Sequence, residues 1–301
     1  MNSVNRPNRI LTFTALGTAI LALALRLICV LFFYDTAIGY YTAGAVLPVI
    51  SNITLVLSAV ALIVLAFLKA PADHAVSAPS GLSRWSALIP ALALAIRAVQ
   101  LIGGGMSESS LTHILSLIGA LAGAGFFCCL AFVERPSGIT VVLGTGFVLF
   151  LAVAWASSYT DFTVAMNSPD KRLFNLACVG AALFTVGELR AVYDRARTRV
   201  YYCYVSLALL TLAAGPTVAF IGDLLGRYSG NAARGEDLAL VAVMIYALVR
   251  LLTLAHSPIK EEYCEAEALD SYYDYEEEFC EEAEEAAETD NANEESTSDE
   301  N

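Results

Sequence analysis

Eight stretches of this chain, at residues 10–33, 43–68, 85–102, 111–132, 138–157, 172–190, 201–225 and 237–255, run on with almost no charged side chain. A hydrocarbon layer about 30 Å thick is crossed by about 20 helical residues rising about 1.5 Å each. Every stretch is near that length or above it. Lipid offers no partner to backbone N–H and C=O groups, so a crossing segment must bond to itself as a helix or close into a barrel. The in–out alternation of barrel strands is absent from these runs, which leaves helices. The expected fold is therefore an all-α integral membrane protein of about eight transmembrane helices arranged as short-looped hairpins, at residues 1–257. A disordered acidic C-terminal tail follows at 258–301. Arg6 and Arg9 before the first run imitate a signal peptide. The run is too long for one and has no convincing small-residue cleavage site, so it is expected to stay as the first span.

Charge is divided along the chain. Residues 260–301 hold 19 acidic side chains and a single Lys, although the whole chain has 30 Asp+Glu against 17 Lys+Arg. The part before them is mildly basic. So polar a terminal stretch cannot bury enough apolar surface to offset its chain entropy, and disorder is expected. Nucleic acid is excluded as a partner, because there is no basic patch and the acidic end repels phosphate.

Lys and Arg also set an orientation, since they concentrate in cytoplasmic loops. With both termini in the cytoplasm, the inner side holds Arg6, Arg9, Lys69, Arg84, Arg135, Arg190, Arg195, Arg197, Arg199, Arg250 and Lys260. Only Lys171, Arg172, Arg227 and Arg234 are left outside. Tyr34, Tyr40, Tyr41, Tyr159 and Tyr228 then mark the outer boundary, and Trp85, Tyr193, Tyr201 and Tyr202 the inner one. A cell membrane, of bacterial type given the compact loops, is the expected location.

Arginines within a span are the sharpest candidates for a site, because a charge there is costly and is kept for a reason. Arg26 lies about 12 Å below the outer boundary and Arg97 about 8 Å below it, counting about 1.5 Å per residue. Both end a near-repeat, Leu21-Ala22-Leu23-Ala24-Leu25-Arg26 and Leu92-Ala93-Leu94-Ala95-Ile96-Arg97. Arg26, Arg97 and Asp223 form a candidate intramembrane charge site: an outward pocket for an anionic group, or a structural pairing with Asp223, backbone carbonyls or lipid phosphate. Arg190, Arg195, Arg197 and Arg199 form a candidate cytoplasmic basic loop that would dock the tail or anionic headgroups, or simply follow the positive-inside rule. Glu188 stands close to that loop.

Other features read as packing. The glycines Gly119, Gly123, Gly125, Gly144, Gly146, Gly180 and Gly187 let helices approach closely. Gly215-Pro216 should kink the seventh span. The seven cysteines have no C-x-x-C spacing, so neither a zinc site nor a disulfide framework is indicated, and those in spans act as small hydrophobes. No catalytic, metal-binding or cofactor motif is present, and no carboxylate stands near mid-depth of a span. The favoured function is a non-enzymatic membrane component, a sensor, scaffold or assembly subunit, contacting the lipid bilayer and meeting a cytoplasmic protein partner through its tail. The alternative is a transporter or channel-like protein for a small anionic solute, using Arg26 and Arg97.

Overall fold

A computed structural model describes residues 6–35, 40–70, 76, 78–103, 111–133, 137–160, 168–193, 196–226 and 235–256. The chain divides into two units, Met1–Ile259 and Lys260–Asn301. Structural detail is confined to the first, and the acidic segment 258–301 lies outside the described residues. The first unit is built from α1 (Arg6–Phe33), β1 (Tyr34–Asp35), β2 (Tyr40–Tyr41), α2 (Val46–Lys69), α3 (Leu82–Ser86) and α4 (Leu88–Gly103). It continues with α5 (Leu111–Phe132), α6 (Gly138–Thr160), α7 (Pro169–Val192), α8 (Thr198–Leu212), α9 (Val218–Leu224) and α10 (Gly235–His256). Eight helical segments among the described residues are long and apolar enough to cross a membrane, from Arg9–Phe33 to Gly235–Ala255.

Two of the expected spans are interrupted for a local reason. Leu82–Gly103 breaks at Ala87 into α3 and α4. Pro90 causes this: its ring clashes with the carbonyl four residues back, at Ser86, and it has no N–H to offer there. Thr198–Leu224 instead contains one turn of π-helix at Ala213–Thr217 around Gly215-Pro216. Pro216 cannot donate to the Leu212 carbonyl, so the helix widens by one residue and the Thr217 hydroxyl donates to that oxygen at 2.9 Å. The expected kink is thus taken up as a π-bulge, a known accommodation of Pro in helices. The loop expected at 34–42 holds a short antiparallel pairing, Tyr34 with Tyr41 and Asp35 with Tyr40.

α8 is central, packing on α1, α2, α7 and α10, whereas α2 touches chiefly α1 and α8 and is the least enclosed span. Exposed Val49, Ile53, Val56, Val60 and Phe67 line the open face of α2, as expected of a helix solvated by acyl chains. The core is aromatic where α5, α6, α7 and α10 meet. Phe127 lies edge-on to Phe147 and to Tyr246, and Tyr246 also meets Phe184. All seven glycines expected to serve packing face a neighbouring helix closely: Gly119, Gly123, Gly125 and Gly146 at the α5–α6 seam, Gly144 against Leu189 of α7, and Gly180 and Gly187 against α8.

Two arginines finish neighbouring helices. Arg84 donates from Nε to the Ala131 carbonyl at 2.7 Å and from Nη2 to the Phe132 carbonyl at 2.9 Å, at the end of α5. Arg199 donates to the Ala70 carbonyl at 2.9 Å, at the end of α2. A cation satisfying the last carbonyls also meets the negative end of the helix dipole. Arg84→Ala is expected to destabilise the protein by about 1–2 kcal/mol. Denaturant unfolding of the detergent-solubilised full chain, followed by circular dichroism, checks this; an unchanged midpoint would refute the capping role.

Candidate functional site

Three arginines among the described residues lie more than a turn inside their spans, and each meets different company. Arg97 of α4 pairs with Glu236 in the first turn of α10, Nη2 to Oε1 at 2.5 Å, both side chains about one-fifth exposed. Arg250 of α10 is buried and pairs with Glu188 of α7, Nε to Oε1 at 3.0 Å. Arg26 of α1 is 3% exposed. Its Nη1 donates to Asn52 Oδ1 of α2 at 3.1 Å, and its guanidinium lies 5.2 Å from the ring centre of Tyr41. Asp223, at the end of α9, is half-buried and makes no side-chain hydrogen bond or ion pair among the described residues. Arg26 and Arg97 therefore have separate polar partners, and Arg26, Arg97 and Asp223 are not joined by any hydrogen bond or ion pair among the described residues.

Around Arg26 the chain gathers polar groups of modest size. Buried Cys29 stands within reach of its charge and bonds in turn to buried Ser51. Tyr34 lies edge-on to Tyr41, ring centres 5.6 Å apart, and the Tyr34 hydroxyl bonds to Asp170 at the start of α7. Burial pushes the Tyr41 phenol above its ordinary range, against the opposing pull of the Arg26 charge. Tyr34 is raised by burial and then by the neighbouring Asp170 charge. Both hydroxyls therefore keep their protons and remain donors at neutral pH.

The Glu188 cluster, at the other end of the bundle, is the most deeply enclosed group of charges. Glu188 is fully buried and accepts three bonds: from Arg250 Nε, from the Tyr201 hydroxyl, and from the Tyr246 hydroxyl at 3.0 Å. Arg250 also sits over the Tyr201 ring, 5.6 Å from its centre. One carboxylate thereby ties α7, α8 and α10 together. Sequence reading assigned Arg250 to the positive inner boundary and Tyr201 and Tyr202 to the aromatic belt. Both tyrosines are instead buried, at 1% and 2% exposure, and Tyr201 is turned inward by its bond to Glu188. Trp85 does stand exposed and Tyr193 is half-buried, its hydroxyl donating to the Ser137 carbonyl at 2.9 Å. The clue available in the sequence was the pair of opposite charges one to two turns inside two helix ends, with a Tyr four residues before Arg250.

The basic loop divides likewise. Arg190 and Arg197 are exposed, Arg199 is engaged with the end of α2, and Arg195 lies outside the described residues. A shallow recess of about 120 Å³ near this end is lined by Pro79, Arg84, Cys129, Leu130, Thr140 and Val192, among others. Among the described residues no three His, Cys, Asp or Glu side chains gather as a metal would require.

No protein-family model, curated protein or solved structure matches the chain.

Proposed function

We propose that this is a non-enzymatic component of a cell membrane, a sensor, scaffold or assembly subunit, whose acidic segment engages a cytoplasmic protein partner. The reading rests on one observation: how the chain distributes its charge. Within the helices, two of the carboxylates are consumed by internal pairing, Glu188 with Arg250 and Glu236 with Arg97. Residues 260–301, by contrast, carry 19 acidic side chains with one Lys to offset them. Such a segment attracts a basic surface at long range and binds it with an affinity that falls as salt screens the charge. The excess of Lys and Arg on the side of the termini supports a cytoplasmic location for both ends.

Deleting 258–301 is the direct test. Cross-linking in cells, read by mass spectrometry, should lose at least one protein neighbour captured by the full chain, while the shortened chain keeps its abundance in the membrane fraction. An identical set of neighbours would remove the basis of the proposal. The carrier reading, an anionic solute held by Arg26 and Arg97 together, has less support, because Arg97 is already neutralised by Glu236.

A further inference from the structure

Arg26 differs from the other two intramembrane arginines in what compensates it. Arg97 and Arg250 each have a carboxylate at 3.0 Å or closer. Arg26 has no carboxylate partner of its own among the described residues: it meets the Asn52 carboxamide and the face of Tyr41, and the Asp170 carboxylate of the same cluster is bonded to Tyr34 instead. Its Nε and the Tyr41 hydroxyl are both buried without a hydrogen-bond partner among the described residues. A buried guanidinium that lacks an anion is costly even where neutral groups partly solvate it. Each of these two donors still has a hydrogen bond to give.

The direction of approach follows from Asn52. Arg26 stands seven residues before the end of α1 and Asn52 six after the start of α2, so both lie about 10 Å from the same end of the helical hairpin. Asn52 is exposed, and its neighbours on that face, Val49, Ile53 and Val56, are exposed apolar side chains. The polar edge of the cluster thus opens sideways onto an apolar face of α2. Asn52 Oδ1 occupies the place on Nη1 that an anionic oxygen would take. A half-turn of the carboxamide presents its NH2 to the same anion.

We propose that Arg26, Asn52 and Tyr41 bind a phosphate or carboxylate group carried on an apolar chain, which enters laterally from the lipid with its tail along Val49, Ile53 and Val56. The charge comes from the ligand's headgroup, so the site holds an amphiphile in preference to a water-soluble anion. It is independent of the acidic segment and persists when that segment is removed.

The full chain in maltoside micelles, which contain no anion, is titrated with phosphatidic acid in one arm and inorganic phosphate in the other. Thermal unfolding and lipid retention in native mass spectrometry are read in both. Phosphatidic acid is expected to stay bound and raise the unfolding midpoint of the parent protein and of Arg97→Gln. Arg26→Gln and Asn52→Leu should each bind it roughly tenfold more weakly, as expected for the loss of a hydrogen bond to a charged group. Should Arg26→Gln fail to fold, Asn52→Leu decides, since its side chain is exposed and its loss leaves the helix intact. Equal retention by parent and Asn52→Leu would overturn the site. A midpoint raised as much by inorganic phosphate would overturn the amphiphile.

Discussion

Replacing Glu188 with Ala is expected to destabilise the protein by about 3–5 kcal/mol, the usual loss when one member of a buried ion pair is removed. Three groups lose the Glu188 oxygens at once. The Arg250 side chain, 3% exposed, keeps a charge that no solvent reaches. The Tyr201 and Tyr246 hydroxyls lose the oxygens to which they donate. Arg250→Ala should be nearly as damaging, since it strands the carboxylate. The pair Glu188→Leu with Arg250→Met removes both charges and keeps the volume, so it should recover part of the loss; the Tyr201 and Tyr246 hydroxyls still lack the oxygens they donate to, which limits the recovery. Chemical unfolding of the purified full chain in detergent measures all four proteins. If Glu188→Leu and Arg250→Met measured singly had losses that summed to that of the double variant, the two residues would act separately.

The spans were legible because a nonpolar solvent leaves the backbone a single solution. The expected run at 10–33 is the helix Arg9–Phe33, and 111–132 is Leu111–Phe132 to the residue. Where the reading slipped, a single residue was responsible. Pro90 breaks the third span into α3 and α4, and the run of apolar residues across 85–102 conceals that. Tyr34 and Tyr41 pair as a short antiparallel ladder in which the two aromatics pack edge to face. No periodicity announces a ladder of two residues.

The charges were less legible because hydropathy says which segments cross but not which helices touch. Glu188 and Arg250 are 62 positions apart in the chain, and only the contact of α7 with α10 makes them a pair. The internal match ending in Arg26 and Arg97 pointed to equivalent roles. Their surroundings differ because α1 packs on α2, which offers an Asn at that depth, while α4 packs on the start of α10, which offers Glu236. A substituted arginine in each helix reads the same in sequence and meets different chemistry in space.

The small residues, by contrast, could be interpreted from spacing alone, and they give the second large effect. Gly119→Ala is expected to destabilise the bundle by about 1–3 kcal/mol, the range for forcing extra volume into a packed seam. A Cβ at Gly119 would lie 2.7 Å from the Phe150 Cβ, 2.9 Å from its Cα and 3.0 Å from its N. Those are mostly backbone atoms of α6, which cannot swing aside as a side chain would, so relief requires α5 and α6 to move apart. The same substitution at Gly17 of α1 meets nothing within 4 Å. There the outcome should reverse, because Ala is a better helix former than Gly by about 0.8–1.0 kcal/mol. Measuring both variants by unfolding in one detergent separates the two terms, since the propensity gain is common and only the seam differs. If Gly119→Ala were as stable as Gly17→Ala, the α5–α6 seam would have to be looser than the approach of Gly119 to Phe150 requires.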